Sequence, residues 1–295
     1  MRHRLAALLA LLAISTTAMA LDLASLWAFD KPDVSEQRFR AALLTATGDD
    51  ALVLQTQIAR TYGLRKDFAK AREILEAIAT RVPNAGAEVR ARYALELGRT
   101  YASAAHPTET RTAESQALAR AAYENALGVS KAEHLDGLAI DALHMLAFVD
   151  TAPADQLKWG QEALAVVEAS SQPAAKKWEA SIRNNIGYAL HQLGRFDEAL
   201  LQFNQAVVLR ERGTDAEATR SAHWMVAWTL RALSRIDEAI EMQMQLEREC
   251  EAAAAPDPYV YEELEILHRA KGNEDKASHY AELRKKLSSQ APRDG

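Results

Sequence analysis

Apolar residues between positions 181 and 211 recur every three or four places, first along one run and then, after a short break, along a second. This spacing is typical of two amphipathic helices that each have one apolar face. Gly194 lies in the break, where a left-handed backbone costs glycine little, and Asp197 and Glu198 open the second run at the positive end of the helix dipole. The stretch therefore predicts a helical hairpin. Its apolar stripes consist of Ile186, Gly187, Leu190 and Leu193, then Phe196, Ala199, Leu200, Phe203, Ala206 and Val207.

The same two-run pattern recurs along the chain and predicts a repeat domain over residues 48–288. No change of composition within it marks a second domain. Residues 21–47 form an atypical lead-in, which we expect to cap the first repeat, and residues 289–295 are expected to be a disordered tail. The remaining hairpins are predicted at about 52–83, 88–129, 137–169, 220–250 and 258–287, with residues 105–115 as a protruding surface loop in the second.

The first twenty residues differ from the rest. A charged start with Arg2 and Arg4 precedes an apolar run of ten residues, and small residues follow, ending in Ala18-Met19-Ala20. This order predicts a signal peptide cleaved after Ala20 and hence a periplasmic or secreted protein. The alternative is an uncleaved membrane anchor, for which the apolar run is short, because a bilayer span needs about 20 residues. No cysteine follows the run, which argues against a lipid anchor.

Composition and charge narrow the function classes. The chain has 295 residues, of which 48% are hydrophobic, and it is sparse in Gly and Pro, which favours an all-α fold. Without Arg2 and Arg4 the 35 basic residues become 33 against 41 acidic ones, a formal charge of −8. Such a charge argues against nonspecific binding to nucleic acid or to an anionic membrane surface. Because Cys250 is the only cysteine, an intrachain disulfide is impossible.

Small and large residues recur at fixed places in the predicted hairpins. The fourth hairpin has Ile186-Gly187-x-x-Leu190 and Ala199-x-x-x-Phe203, the second has Leu97-Gly98-x-x-Tyr101 and Ala119-x-x-x-Tyr123, and the first has Ala71-x-x-x-Leu75 and Pro83. This pattern resembles the tetratricopeptide repeat. The third hairpin departs from it with Gln156 in place of Ala, and the sixth with Glu265 in place of Gly.

The resemblance implies a right-handed superhelical solenoid of about six repeats. In this family the small residues let the two helices of a hairpin approach closely. We therefore expect Gly187 to face Ala199, and Phe203 to fill the groove towards the next hairpin.

The resemblance also implies a partner and a place for it, because members of the family bind peptides or helices in a concave groove that the first helices line. Aligning the repeats predicts three rows of groove residues: Asn184, Trp224 and Glu262; Arg60, Arg99, Met145, Tyr188, Trp228 and Ile266; Phe148, His191, Arg231 and Arg269. From these rows we predict a partner site whose residues are Tyr188, Asn184, His191, Trp224, Trp228 and Arg231. Aromatic rings beside arginine suggest an acidic peptide or protein partner. A position in the helical core is the alternative for Trp224 and Trp228.

No catalytic or metal-binding motif stands out. There is no G-x-S-x-G, P-loop, H-E-x-x-H or paired-cysteine motif, and the sequence predicts no catalytic residue, no metal ligand and no cofactor. The prediction is a non-enzymatic interaction scaffold in the bacterial cell envelope. Two alternatives are an accessory or inhibitory subunit of an envelope enzyme, and a binder of glycans or small ligands that uses the groove aromatics.

Overall fold

A computed structural model describes residues 21–290 of the chain. The predicted signal segment, residues 1–20, and residues 291–295 of the predicted tail lie outside the described residues. Within them the chain forms helices and no strand, with short 3₁₀ turns at Val82–Asn84 and Thr108–Thr110. The helices are α1 Leu23–Leu26, α2 Pro32–Leu43, α3 Gly48–Leu64, α4 Phe68–Glu76, α5 Ala87–Arg99, α6 Ala113–Ala132, α7 Asp136–Val149, α8 Pro153–Ala169, α9 Pro173–Lys176, α10 Glu179–Gln192, α11 Phe196–Arg210, α12 Ala216–Ala232, α13 Ile236–Ala252, α14 Pro258–Ala270 and α15 Glu274–Gln290.

Six hairpins follow one another along the solenoid. They are the pairs α3–α4, α5–α6, α7–α8, α10–α11, α12–α13 and α14–α15, and each pair packs together. The second helix of each hairpin also contacts the first helix of the next, as α6 contacts α7 and α11 contacts α12. The prediction of an all-α solenoid of six hairpins is confirmed. The short helix α9, between the third and fourth hairpins, was not predicted.

Local sequence explains where the helices begin and turn. The side chain of Asp215 accepts a hydrogen bond from the backbone N–H of Ala218 at 2.9 Å and caps α12. Gly194 adopts φ +74° between α10 and α11, as its position in the break predicts. Ser234 adopts φ +61° at the equivalent turn of the fifth hairpin, so this turn geometry is kept even without glycine.

In two hairpins a glycine of the first helix packs against an aromatic ring of the second helix. A Cβ placed on Gly187 would lie 2.6 Å from Cε1 of Phe203, and one on Gly98 would lie 2.5 Å from Cε1 of Tyr123. The nearest neighbour of Gly187 across the hairpin is thus Phe203, and not Ala199 as expected. Ala199 is fully buried, but the ring of Phe203 turns back across its own hairpin because glycine leaves room for it there.

The lead-in packs on the first hairpin. Trp27 lies with its ring edge on Phe39, at 4.9 Å between centroids, and its Nε1–H donates to Oε1 of Gln57 on α3 at 3.2 Å. The fully buried Phe39 joins Leu54 and Ile58 in the core of this end. Residues 21–43 thus cover apolar surface that would otherwise face water.

The long loop of the second hairpin is exposed only in part. Residues 107–110 are exposed, as predicted for a protruding loop. His106, however, is buried and stacks on Phe68 with 3.7 Å between ring centroids, and its Nε2 lies 3.2 Å from the carbonyl oxygen of Thr100. The base of the loop is therefore anchored to the solenoid, a contact that the polar composition of the loop did not indicate.

Candidate aromatic binding surface

The predicted site residues all lie on two consecutive first helices. Asn184, Tyr188 and His191 are on α10, and Trp224, Trp228 and Arg231 are on α12. We call the surface formed by the first helices α3, α5, α7, α10, α12 and α14 the first-helix face. The spacing of three and four residues places these side chains on one side of each helix.

Four aromatic rings form a row along this face. Trp228 lies between Tyr188, at 6.0 Å between centroids and 21° between planes, and Trp224, at 5.9 Å and 20°. Trp224 in turn meets the edge of Tyr259 on α14 at 6.5 Å and 75°. Tyr188 is 45% exposed and Tyr259 is 64% exposed, while both tryptophans are half-buried. We call these four residues the aromatic row.

The two tryptophans belong partly to the surface and partly to the core. Trp224 packs against a buried cluster that includes Leu246 and Leu264, and its Nε1 is buried with no hydrogen-bond partner among the described residues. The ring of Trp228 lies nearly parallel to those of His191 and Trp224. Each ring therefore has fixed neighbours and still reaches the surface.

Tyr259 was missed by sequence reasoning. The repeat alignment placed Glu262 in the row, and Glu262 instead pairs with Arg284 at 2.8 Å. The available signal was an aromatic residue one helical turn before the aligned position. Because α14 begins at Pro258, the first turn of this helix carries Tyr259 back beside Trp224.

His191 underlies the row. Its imidazole stacks on Trp228 at 3.4 Å between centroids and 16° between planes, and Phe196 meets it edge-on at 4.9 Å. Burial, helped by the positive charge of Arg231, lowers the pKa of His191 to about 4. The ring is therefore neutral at pH 7, and it acts here as a flat packing surface.

Arg231 forms an ion pair within the protein. Its Nε–H and one Nη–H donate to the two carboxylate oxygens of Glu263 at 2.7 and 2.9 Å, and Glu263 is buried. This bidentate pair occupies the donors that we expected to hold an acidic partner. The expectation of an acidic partner loses its main support, because the arginine already has a carboxylate.

The arginines of the first hairpins are engaged in the same way. Arg99 donates to Glu96 at 2.6 Å and to Asp141 at 2.5 Å, and Arg60 donates to Glu96 at 3.2 Å. Burial would raise the pKa of Asp141, but the charges of Arg99 and Arg60 outweigh it and hold that pKa below its ordinary value. This network of two arginines and two carboxylates is internally neutral.

Two further features distinguish the N-terminal half of the face. Trp27 and Phe29 of the lead-in stack on each other at 4.5 Å, and the guanidinium of Arg60 lies 5.8 Å from each ring. The lead-in thus covers part of this half.

Met145, predicted to line the groove, is buried in the core, because α7 turns His144 and Phe148 to the face instead.

Residues 21–290 contain neither a metal-binding cluster nor a membrane-spanning helix. In this part of the chain no three His, Cys, Asp or Glu side chains are grouped so that they could hold a metal ion. No helix there combines the length and apolar character needed to cross a bilayer. Cys250 is a buried free thiol, and burial raises its pKa.

Comparison with known proteins supports the fold. The tetratricopeptide repeat family model matches residues 178–248, which hold the fourth and most of the fifth hairpin. No curated protein matches the chain.

Three solved structures share the fold at low sequence identity. The apo form of RapI has a TM-score of 0.68 and 11% identity, over 90% of this chain and 73% of that one. A signal transduction ATPase from Pyrococcus horikoshii with a tetratricopeptide repeat sensor has a TM-score of 0.67 and 11% identity, over 88% of this chain. Aspartyl phosphate phosphatase F from Bacillus subtilis has a TM-score of 0.54 and 14% identity, over 93% of this chain and 80% of that one.

These likenesses concern the fold alone. The chain spans only 40% of the Pyrococcus horikoshii protein. The family match over residues 178–248 and the six consecutive hairpins lead to one conclusion about the fold: residues 21–290 form a solenoid like that of tetratricopeptide-repeat proteins.

Proposed function

We propose that the protein is a non-enzymatic scaffold that binds a segment of a peptide or protein partner along the aromatic row. The observation that carries the proposal is the row itself, four partly exposed rings in contact across three consecutive hairpins. Tyrosine and tryptophan dominate the binding energy of many protein interfaces. Since the rings already hold one another in place, little side-chain freedom is lost when a partner binds.

The C-terminal half of the first-helix face suits a partner better than the N-terminal half. In the N-terminal half the arginines are paired with Glu96 and Asp141, and Trp27 and Phe29 cover part of the surface. A partner there would have to displace the lead-in or break ion pairs. Along the aromatic row it would meet rings that are already partly exposed.

The chemistry of the row favours apolar and uncharged partner side chains. Arg231 is paired with Glu263, so this arginine does not call for an acidic partner. Stacked rings offer apolar area with a few polar edges, such as the hydroxyl of Tyr188. We therefore expect an extended or helical segment rich in apolar residues.

We place this interaction in the bacterial cell envelope. The support is the three-part pattern of residues 1–20, with its charged start, apolar run and Ala18-Met19-Ala20. The net negative charge of the remaining chain agrees with a protein partner better than with nucleic acid. An accessory or inhibitory subunit of an envelope enzyme would use the same surface.

The experiment is capture of the partner from envelope extract by the chain from Leu21 onward. The double variant Trp224→Ala, Trp228→Ala removes half of the row, and Trp27→Ala is the matched control in the other half of the face. We expect a stoichiometric partner with the parent chain and the control, and none with the double variant although it remains helical. A photo-crosslinker at Tyr188 should label the same partner. Capture that survives the double variant, with no crosslink at Tyr188, would refute the proposal.

A glycan is the second candidate ligand. The nearly parallel rings of Tyr188 and Trp228, 6.0 Å apart, could present a flat platform for a sugar ring. Retention of envelope glycan without any protein in the capture experiment would favour this candidate. Its loss in the double variant would assign it to the same rings.

A further inference from the structure

A cavity of about 210 Å³ lies between the third and fourth hairpins, next to the aromatic row. Helices α7, α8 and α10 enclose it, and the exposed Tyr188 marks its opening to the first-helix face. Tyr188 therefore belongs both to this cavity and to the row. Phe148, Trp159, Gly160 and Ile182 line its wall, and His144 and Asn184 supply polar groups.

The third hairpin lacks two large side chains that other hairpins carry, and the one missing at Ala147 opens the cavity. The third and fourth hairpins align without a gap, with three residues between their helices in each case. Ala147 then stands where the other hairpins carry Tyr62, Tyr101, Leu190, Leu230 and His268. Gly160 stands where the first, second, fourth and fifth hairpins carry Leu75, Tyr123, Phe203 and Gln243.

Ile186 occupies the space at Gly160, so only the missing side chain at Ala147 leaves room. A Cβ on Gly160 would lie only 2.8 Å from Cγ1 of Ile186, so α10 approaches too closely for any side chain at this position. His144, which stands where Gly187 is in the fourth hairpin, meets Phe148 edge-on at 5.1 Å and Trp178 at 5.5 Å. These contacts leave the space between α7 and α8 open.

Polar groups with unused hydrogen-bonding capacity line the cavity. The amide of Asn185 donates to Nδ1 of His144 at 3.0 Å, which places the imidazole proton on Nε2. Within residues 21–290, that Nε2–H, the amide of Asn184 and the hydroxyl of Tyr188 have no hydrogen-bond partner. The cavity thus offers donors and acceptors beside an otherwise apolar wall.

No lining side chain carries a charge at neutral pH. The side chains are aliphatic, aromatic, amide or hydroxyl groups, together with His144, whose pKa is lowered by burial. A charged ligand group would lose its hydration here without gaining a counter-ion. The volume exceeds that of the engineered cavity of about 150 Å³ that holds benzene. These two properties together select an uncharged ring.

We propose that this cavity is an anchor pocket for one uncharged aromatic side chain with a hydrogen-bonding group, a tyrosine or a tryptophan, of the bound partner segment. This inference rests on the proposed function, because the segment along the aromatic row is what would deliver the side chain past Tyr188. The ring lies between Phe148, Trp159 and Ile182. Its hydroxyl or indole N–H bonds to the free groups of Asn184 or His144.

The test uses p-cresol and indole as probes of the chain from Leu21 onward, with benzoate as the charged comparator. Isothermal titration should show saturable binding of both probes, with benzoate about tenfold or more weaker because its carboxylate must lose water. In NMR spectra of the unsubstituted chain, the indole N–H of Trp159 should shift on binding and that of Trp224 should not. No binding of p-cresol, or equal binding of benzoate, would overturn the proposal.

Ala147→Leu is the decisive variant, because it restores the bulk that Leu190 and Leu230 supply in other hairpins. We expect loss of probe binding with an unchanged or higher melting temperature, since the variant fills a cavity. Leu201→Ala, at an exposed position of α11 that does not line the cavity, is the control and should keep full probe affinity. A folded Ala147→Leu variant that binds p-cresol as well as the parent would overturn the pocket. If this variant does not fold, the Trp159 shift in the parent chain decides.

The pocket and the proposed function can fail separately. If Ala147→Leu loses the probes but captures the partner at parental affinity, the row is the binding site and the anchor proposal is wrong. If the Trp224→Ala, Trp228→Ala variant still captures the partner while the probes bind, the row is not the binding site. Partner capture weakened about tenfold or more by Ala147→Leu alone would support both, because a buried anchor is typical of an interface hot spot.

Discussion

The guanidinium of Arg231 on α12 holds the buried carboxylate of Glu263 on α14 by two hydrogen bonds of 2.7 and 2.9 Å. This pair ties the first helices of the last two hairpins together. Trp228 lies one helical turn before Arg231 on α12, so the ion pair stands beside this ring. The arginine is therefore part of the support of the aromatic row and not a free cation on its surface.

Arg231→Ala should destabilise the protein by about 3 kcal/mol, because it leaves the carboxylate of Glu263 buried without a partner. Urea unfolding of the variant measures this loss. Arg235→Ala, which removes an exposed pair with Glu238, is the control and should change little. The double variant Arg231→Met, Glu263→Met should recover most of the loss, since neither charge then remains. Unchanged stability in Arg231→Ala would mean that the arginine is free to meet a partner.

Gly187→Ala should destabilise the fourth hairpin although alanine favours helices. The new Cβ would lie 2.6 Å from the ring of Phe203, and overpacking of this kind costs about 1–3 kcal/mol. Gly128→Ala is the control, because its Cβ meets nothing within 4 Å and should stabilise α6 by about 0.5–1 kcal/mol. Adding Phe203→Leu to Gly187→Ala should recover part of the loss in thermal unfolding. Equal effects of the two glycine substitutions would contradict the close contact.

Trp228→Ala should lower the free energy of unfolding by less than the roughly 3–5 kcal/mol typical of a fully buried tryptophan. The ring is only half-buried, and its main neighbours are the flat faces of His191 and the aromatic row. Partner affinity, in contrast, should fall by about 2 kcal/mol or more if this ring is a hot spot. Chemical denaturation and partner titration on one protein sample separate the two effects. A large loss of stability with unchanged affinity would place Trp228 in the core.

A lower pH should reduce the free energy of unfolding, in part through protonation of His191. Its folded pKa of about 4 lies below the ordinary value of 6.5, so the unfolded chain binds more protons between these two values. The contribution of neutral His191 to the free energy of unfolding is thus complete above pH 6.5 and is lost as the pH falls towards 4. His191→Gln cannot be protonated, and its stability should fall less between pH 7 and pH 5 than that of the parent in urea titrations. The other histidines are common to both proteins and cancel in this comparison.

Cleavage of the predicted signal peptide should give the exported protein a defined N-terminus. Cleavage after Ala20 would make Leu21 the first residue of protein recovered from the envelope fraction. Intact mass and N-terminal sequencing measure this directly. An Ala18→Leu substitution should slow processing, because the cleavage site needs a small residue there. Recovery of Met1 in a membrane pellet would favour the uncleaved anchor.

Much of the architecture could be predicted because it depends on the spacing of apolar residues within each helix. The period of apolar residues places the twelve helices of the six hairpins, and Gly194 marks its turn through the left-handed backbone that it adopts. The site residues on α10 and α12 could be placed on one face for the same reason. Tyr259 was not placed there, because the repeat alignment put Glu262 in the row and the contact of Tyr259 with Trp224 depends on how α12 and α14 meet.

Contacts between distant residues were decided by the tertiary structure alone. Arg231 was expected on the surface, yet it pairs with Glu263, 32 residues away, because two stacked helices bring them together. The nearest neighbour of Gly187 across the hairpin is Phe203 and not Ala199. The way in which the two helices cross decides which side chain lies against the glycine. Repeat periodicity is a property of each helix and can be read from the sequence. Ion pairs, ring contacts and the cavity beside Ala147 depend on how helices meet, which the spacing along a single helix does not specify.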